Sequence, residues 1–244
     1  MYACWEEPEI CYSSRTCEVI PHGGGNQDPH FRGFDGSQYY FDGVSGQDYN
    51  IISDASMQLN AHFIRLNKLK GTYMGRIGLL FGEHSLSLDP HFGVFYNGSL
   101  LTEAEVETPE GSFLVEKVDN RFRLSFENKY YQIVARVVVE KGEREEAYIN
   151  LQATLIDTPE EMPHGILGQT ARAAAAASGE RNSDEAAPAT FVVEGVENDY
   201  YVRDGLLGTD FTFNKFDAAA DKIITVTGTR FRRNAAPLFE ASAN

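Results

Sequence analysis

The chain has 244 residues, of which 42% are hydrophobic and 12% aromatic, so it can bury one sizeable core and is not a disordered sequence. It carries 21 basic and 36 acidic residues, which gives a formal net charge of −15 at pH 7. This charge opposes binding to nucleic-acid phosphates and to anionic membranes. No apolar run approaches the ~20 residues that a membrane-spanning helix requires.

The first 25 residues are predicted to be a leader, and they contain all three cysteines: Cys4, Cys11 and Cys17. Crowded cysteines in a short, loop-rich stretch favour disulfides, with one thiol left free or paired outside the chain. The alternative is three reduced thiols in an intracellular protein. A zinc site is disfavoured, because His22 would be the fourth ligand and no Cys-x-x-Cys pair is present. The leader ends in three glycines at 23–25, which predict a flexible joint.

The next stretch begins with Asp-Pro-His-Phe at 28–31 and continues into two Asp-Gly turns around a run of aromatic residues. Asp and Gly tolerate the left-handed backbone of tight turns, so this pattern predicts β-hairpins. Asp28-Pro29, followed by His30, also permits self-cleavage. The Asp carboxylate attacks its own carbonyl, and the proline nitrogen leaves. We favour the simpler interpretation, in which Pro29 fixes an extended backbone and Asp28 caps a turn.

Short β-type runs separated by turn residues then continue to residue 156. The run 57–64 alternates apolar residues with Gln58, Asn60 and His62, which predicts a strand with one solvent-exposed face. Adjacent β-branched residues at 134–139 predict a strand buried on both faces. Many short strands of this kind are typical of a β-sandwich or barrel. The predicted strands are 39–41, 49–52, 57–64, 77–81, 84–88, 93–96, 113–118, 121–126, 130–140 and 148–156.

The later part contains the only predicted helix, an Ala-rich run at 171–177 that opens a surface insertion over 171–190. So short a helix is not stable alone in water. Strands resume at 191–193, 199–202, 211–216 and 222–231; the last opens with five β-branched residues. We therefore predict a leader over 1–25, one all-β domain over 26–232 and a tail over 233–244.

Five motifs recur in a fixed order along the chain: the Asp-Pro-His-Phe start, 53–64, 78–84, the Gly-Ile-Leu-Gly-Gln-Thr of 165–170, and 210–216. In this order they resemble the root cap (late embryogenesis abundant-like) proteins of plants and algae, which are related to von Willebrand factor type D domains. The resemblance implies an antiparallel β-sandwich of von Willebrand factor D type with one short helical insertion, in a wall-associated or extracellular protein. It does not imply an enzyme.

The resemblance also bears on cleavage, cysteines and calcium. Related type D domains, and inter-alpha-trypsin inhibitor heavy chains, are cleaved at the Asp-Pro dipeptide, but their preceding Gly is Gln27 here. Family cysteines near Asn50 and at Phe211 are absent. Type D domains often have a carboxylate-rich calcium loop after the late Gly motif. In this chain that region becomes the Ala-rich run 171–177, which offers no side-chain oxygens. Asn182, Asp184 and Glu185 lie further along, but calcium takes roughly six to eight oxygens. We predict solvated loop charges, with a calcium site as the alternative and no other cofactor.

Two further patterns suggest surface roles. Asn97-Gly98-Ser99 is an N-glycosylation acceptor and equally a hairpin turn. Arg230, Arg232 and Arg233 form a basic cluster that fits an acidic partner or polysaccharide, or a solvated strand end. The six histidines lack metal-ligand spacing, and neither a Gly-x-Ser-x-Gly elbow nor a phosphate-binding loop is present. The sequence offers no basis for catalysis.

We therefore predict a non-catalytic extracellular or cell-surface module that makes matrix or assembly contacts. Its partners would be other protein subunits, copies of itself, or a cell-wall or matrix glycoprotein or polysaccharide. The first residues lack the features of a signal peptide, so a secreted form would be a processed or partial product. The alternatives are a self-processing module acting at Asp28-Pro29 and an intracellular structural subunit of a larger complex.

Overall fold

The computed structural model describes residues 10–11, 17–18, 22–25, 30–67, 69–140, 146–171 and 194–216, with the backbone alone for 10–11, 17–18 and 22. The regular secondary structure of this part of the chain is almost entirely β-strand, with short 3-10 helices at Gly168–Thr170 and Glu197–Asp199. The strands are β1 (Ile10–Cys11), β2 (Cys17–Glu18), β3 (His22–Gly25), β4 (His30–Arg32), β5 (Gln38–Tyr40), β6 (Asp48–Ser53), β7 (Met57–Ile64), β8 (Tyr73–Phe81), β9 (His84–Asp89), β10 (Gly93–Tyr96), β11 (Ser99–Leu101), β12 (Ala104–Thr108), β13 (Gly111–Val118), β14 (Arg121–Glu127), β15 (Tyr131–Glu140) and β16 (Glu146–Leu155).

Two antiparallel sheets form the body of the molecule, and β1 and β2 pair separately. The first sheet is a six-stranded meander in which β6 to β11 pair in chain order. Its last turn has Asn97 at φ 47° and Gly98 at φ 78°, and Tyr96 pairs with Ser99. Two successive left-handed residues match the twist of a two-residue hairpin. The hairpin interpretation of Asn97-Gly98 is therefore confirmed.

The second sheet has eight strands in the order β12-β13-β14-β15-β16-β3-β4-β5. The glycines predicted as a flexible joint belong to β3, which lies inside this sheet between β16 and β4. That prediction was wrong, because glycine is required here for close packing. A Cβ atom at Gly23 would lie 2.7 Å from both the Arg32 carbonyl oxygen and Leu167 Cδ1.

Inward-facing side chains of both sheets meet in one core. Phe81 of the six-stranded sheet lies between Phe126 and Phe113 of the eight-stranded sheet, with ring centroids 4.8 and 6.4 Å apart. Each large apolar side chain buried in this way contributes roughly 1.5–3 kcal/mol. The all-β prediction with two antiparallel sheets is confirmed.

One strand differs from its predicted environment. The run 134–139 was predicted to be buried on both faces, but β15 alternates: Ala135 and Val137 are buried, Val134 is half-buried and Arg136 is exposed. The outward side of the eight-stranded sheet therefore meets solvent at its centre, and the β-branched residues there serve strand propensity and not a second core.

Two later parts of the chain cover the edge of β6 that pairs with no strand. They are the turn at 164–167 and residues 194–216, which we call the late segment. The Ser53 and His164 backbones exchange hydrogen bonds of 2.8 and 2.9 Å, and the Asn50 amide donates to the Tyr200 carbonyl at 2.9 Å. The predicted strands at 199–202 and 211–216 are wrong: apart from an isolated bridge at Tyr201, these residues are turns and a 3-10 helix. They lie along an existing strand and add no new one. An edge covered in this way is closed to further strand pairing.

The late segment also covers the outer face of the six-stranded sheet. Asn60 Nδ2 donates to the carbonyls of Leu206 and Gly208 at 2.9 and 3.1 Å, and Gln58 Nε2 donates to Gly208. Gln58 and Asn60 are buried, so the prediction of a solvent-exposed face on β7 was wrong. Of the predicted helix only residue 171 is described, and the predicted strands 191–193 and 222–231 lie outside the described residues.

Candidate interaction surface

Most of the predicted site residues lie outside the described part of the chain. The self-cleavage, calcium and basic-cluster hypotheses therefore stay predictions. The backbones of Cys11 and Cys17 are direct partners in the β1–β2 pair. Residues 26–29, which include the Asp-Pro dipeptide, connect β3 to β4. The predicted site residues outside the description are Cys4, Asp28, Pro29, Asn182, Asp184, Glu185, Arg230, Arg232 and Arg233.

Two predicted site residues are placed. His30 begins β4 as an exposed side chain, and its ring centroid lies 4.3 Å from that of Tyr40, which is 73% exposed. Asn97 is exposed in the β10–β11 turn, where its Oδ1 accepts a hydrogen bond of 2.8 Å from the Ser85 amide. This exposure suits an N-glycan, and glycosylation at Asn97 stays a prediction.

One acid–base pair of the described residues joins two distant segments inside the fold. His164 Nδ1 lies 2.8 Å from Glu194 Oε2, and the two side chains are only 17% and 8% exposed. The second carboxylate oxygen accepts from the Gly165 amide at 2.9 Å, and the Glu194 amide donates to Gln169 Oε1 at 2.9 Å. These contacts fasten the segment after residue 194 to the Gly-Ile-Leu-Gly-Gln-Thr turn. The pair therefore holds the fold together at the β6 edge.

Tyr200 completes this group without adding a reactive oxygen. Gln169 Nε2 donates to its hydroxyl oxygen at 3.1 Å, and Phe213 lies 5.6 Å away between ring centroids. Burial raises the pKa of Tyr200, and the nearby Glu194 charge raises it further. The hydroxyl therefore keeps its proton at neutral pH and is not a nucleophile there.

A second buried polar group lies under the bulge of β6. Asn50 is fully buried, and its Nδ2 donates to the Ile52 and Leu59 carbonyls and to Asn60 Oδ1 at 2.9–3.2 Å. A buried amide that meets several backbone carbonyls fixes register and packing. Both buried polar groups are therefore structural, and the polar groups available to a partner lie on the surface.

The eight-stranded sheet presents what we call the open face, the surface formed by the outward side chains of β13 to β16 with those of β4 and β5. Gln132, Arg136 and Gln152 at its centre are exposed. At one corner Leu66 and Tyr73 pack on Tyr148, with the two tyrosine ring centroids 5.1 Å apart. The centre faces solvent and carries amides, hydroxyls and guanidinium groups around the half-buried Val134.

Like charges meet at the centre of the open face. Arg123 of β14 and Arg136 of β15 are direct cross-strand partners, an arrangement that destabilises a sheet. Glu116 Oε2 lies 3.7 Å from Arg123 Nη1, whereas the Arg136 side chain has no hydrogen bond or ion pair within the described ranges. The other carboxylates of the open face, Glu127, Glu140 and Glu146, lie towards its rim, and Glu105 and Glu107 lie beyond it on the neighbouring edge strand β12.

This arginine pair was not among the predicted site residues. Alternation placed Arg123 and Arg136 on predicted strands, but it does not fix which residues of two neighbouring strands face each other. The signal that would find the pair is the turn at Asn128–Tyr130, which sets the register between β14 and β15. Asn128 forms that turn by accepting hydrogen bonds from the Tyr130 and Tyr131 amides at 2.9 and 2.8 Å.

Within the described ranges, no group of three His, Cys, Asp or Glu residues is placed to hold a metal ion. No described helix is long and apolar enough to cross a membrane. The chain matches no family model and no curated protein. The resemblance to root cap proteins therefore rests on the motifs of the sequence, and it stays a hypothesis.

Proposed function

We propose that this chain is a non-catalytic extracellular or cell-surface module, a β-sandwich of von Willebrand factor D type, that makes matrix or assembly contacts through its open face. The observation that carries the proposal is the contrast between the two sheets. Leu206 and Gly208 cover the outer face of one sheet, whereas Gln132, Arg136 and Gln152 at the centre of the other are exposed.

The use of polar groups inside the molecule supports this proposal. Asn50, Gln169 and Glu194 bond backbone groups of neighbouring segments, so they hold the architecture. The accessible polar groups of the open face lie on a sheet whose hydrogen-bonded backbone fixes their spacing. Polar side chains held by regular structure make a more definite docking surface than the same groups on loops. The partners proposed are other protein subunits, copies of the chain, or a matrix glycoprotein or polysaccharide.

The test is to block the open face sterically. An azide-bearing amino acid at Gln152, coupled to polyethylene glycol, should abolish binding of the chain to an array of matrix polysaccharides and glycoproteins. The same attachment at Lys215, which is exposed on the late segment beside β6, is the matched control. Binding that survives the Gln152 attachment contradicts the proposal, and an array with no binder removes matrix glycoproteins and polysaccharides from its partners.

A further inference from the structure

We infer that Cys11 and Cys17 form an intrachain disulfide, which leaves Cys4 as the odd cysteine of the chain. Three cysteines allow three different single disulfides, and residue type alone does not choose among them. The backbone positions of β1 and β2 single out one of the three. These two strands belong to neither large sheet, so the disulfide goes beyond the proposed function and is independent of the open face.

The register of the β1–β2 pair places the two cysteines directly opposite each other. In this antiparallel pair Ile10 is the partner of Glu18, and Cys11 is the partner of Cys17. Directly opposite residues of antiparallel strands have Cα atoms ~4.5 or ~5.5 Å apart, according to whether their backbones exchange hydrogen bonds. A disulfide takes Cα separations of about 4.4–6.8 Å. Both kinds of cross-strand partner therefore suit a disulfide without movement of the backbone.

The shortness of the β1–β2 pair gives the disulfide a structural reason. Each strand has two residues, and in the described part of the chain the pair is hydrogen-bonded to neither large sheet. An isolated two-stranded hairpin is at best marginally stable in water. Small elements without a core of their own are commonly held by disulfides. A bond between Cys11 and Cys17 closes the loop over 12–16 and limits the open conformations that compete with the paired one.

Loop length does not distinguish this pair from its nearest rival. Cys4 and Cys11 are seven positions apart and Cys11 and Cys17 are six, so the entropy of loop closure is nearly the same for both. The difference is the strand pairing, which holds Cys11 beside Cys17 before they react. Holding two reacting groups together raises the effective concentration of one at the other. The strand pairing therefore selects the Cys11–Cys17 disulfide.

The disulfide forms by thiol–disulfide exchange with a small-molecule disulfide such as glutathione disulfide. One cysteine thiolate attacks it and expels a glutathione thiolate, which leaves a mixed disulfide on the protein. The second cysteine thiolate attacks the protein sulfur of the mixed disulfide and expels the other glutathione thiolate. The two cysteines are thereby oxidised, and glutathione disulfide is reduced to two molecules of glutathione, which take up the two cysteine protons.

The first experiment maps the cysteines of the full chain after it has refolded in a buffer of reduced and oxidised glutathione. Free thiols are alkylated in urea, and the chain is then cut after Arg and Glu residues without reductant. Cuts after Glu9, Arg15 and Glu18 place the three cysteines in separate peptides, which mass spectrometry identifies.

We expect the peptide that contains Cys11 to be joined to the peptide that contains Cys17, and the alkyl group to be on Cys4. A disulfide between Cys4 and either of the other two cysteines overturns the inference. Alkylation of all three cysteines overturns it as well, because the chain would then hold no disulfide under oxidising conditions.

A second measurement separates the effect of the strand pairing from that of loop length. Cys4→Ser retains only the Cys11–Cys17 pair, whereas Cys17→Ser retains Cys4 and Cys11 at nearly the same spacing. We expect the equilibrium constant for oxidation by glutathione disulfide to be roughly tenfold larger for Cys4→Ser, which corresponds to ~30 mV. Equal constants, or a larger one for Cys17→Ser, would show that the strand pairing does not favour this disulfide and would contradict the inference.

Discussion

Gly165 shows how a single residue determines the closure of the β6 edge. It has φ +100°, and a Cβ atom there would lie 2.6 Å from the Ile51 carbonyl oxygen. Both the left-handed backbone and the contact exclude a side chain. The Gly in the Gly-Ile-Leu-Gly-Gln-Thr motif is thus required by the strand beneath it.

Gly165→Ala should lower the free energy of unfolding by about 3–5 kcal/mol, because steric overlap adds to backbone strain. Gly205→Ala is a close control, since Gly205 has φ +103° and no atom within 4 Å of its Cβ position. It should cost only about 1–2 kcal/mol. Urea unfolding measures both, and equal losses would show that the contact with β6 is unimportant.

The sequence predicted most strands, and it failed where distant segments meet. Alternation in 57–64 located β7 with its bounds, but Gln58 and Asn60 looked solvent-exposed. The segment that buries them begins nearly 150 residues later, and a local pattern carries no information about it. Similarly, the glycines at 23–25 were interpreted as a flexible joint. Their close packing within a strand involves Leu167, which is distant in the sequence.

The candidate surface was less predictable than the fold. The predicted basic cluster and calcium residues fall outside the described residues, whereas the arginine pair arises from the register of β14 and β15. Residue type alone does not distinguish Arg136 from any other exposed arginine. Its cross-strand neighbour does, and that neighbour is fixed by a turn and not by the strands themselves.

At the scale of elements, the cover over the six-stranded sheet depends on a close approach. A Cβ atom at Gly78 of β8 would lie 2.7 Å from the Leu206 carbonyl oxygen and 2.9 Å from Leu206 Cγ. Gly78→Ala should therefore lift the segment around Leu206 while the sheet stays folded, at a cost of roughly 1–3 kcal/mol.

Hydrogen exchange measures this displacement. Amides of 203–210 should exchange faster in Gly78→Ala, and those of β8 should keep their protection. Arg76→Ala, two residues earlier on the same face of β8, is the control and should leave both unchanged. Uniformly faster exchange across the sheet would contradict a separable cover.

At the scale of the whole molecule, buried tyrosines set the alkaline limit of stability. Burial raises the pKa of Tyr39, Tyr49, Tyr131 and Tyr200, that of Tyr49 to about 12. The unfolded chain releases these protons near pH ~10, whereas the folded chain retains them. The contribution of these tyrosines to the free energy of unfolding is therefore fully present below about pH 10, and it is lost as the pH rises above that value.

Between about pH 10 and 12, each such tyrosine should lower the free energy of unfolding by about 1.4 kcal/mol per pH unit. Tyr200→Phe should remove one of these contributions and make the decline less steep. Urea unfolding at a series of pH values measures the slope, which is the readout because the substitution also removes the contact with Gln169. An unchanged slope would show that Tyr200 ionises alike in both states.

The position of β3 inside the eight-stranded sheet changes what a break in the chain would mean. A cut at Asp28-Pro29 would fall between two neighbouring strands, and β3 of the shorter piece would still pair with β16 on one side and β4 on the other. The two fragments would stay associated under native conditions and would separate only in denaturant. Removing the first 25 residues outright would instead leave a gap with two bare backbone edges, ready to capture any extended strand.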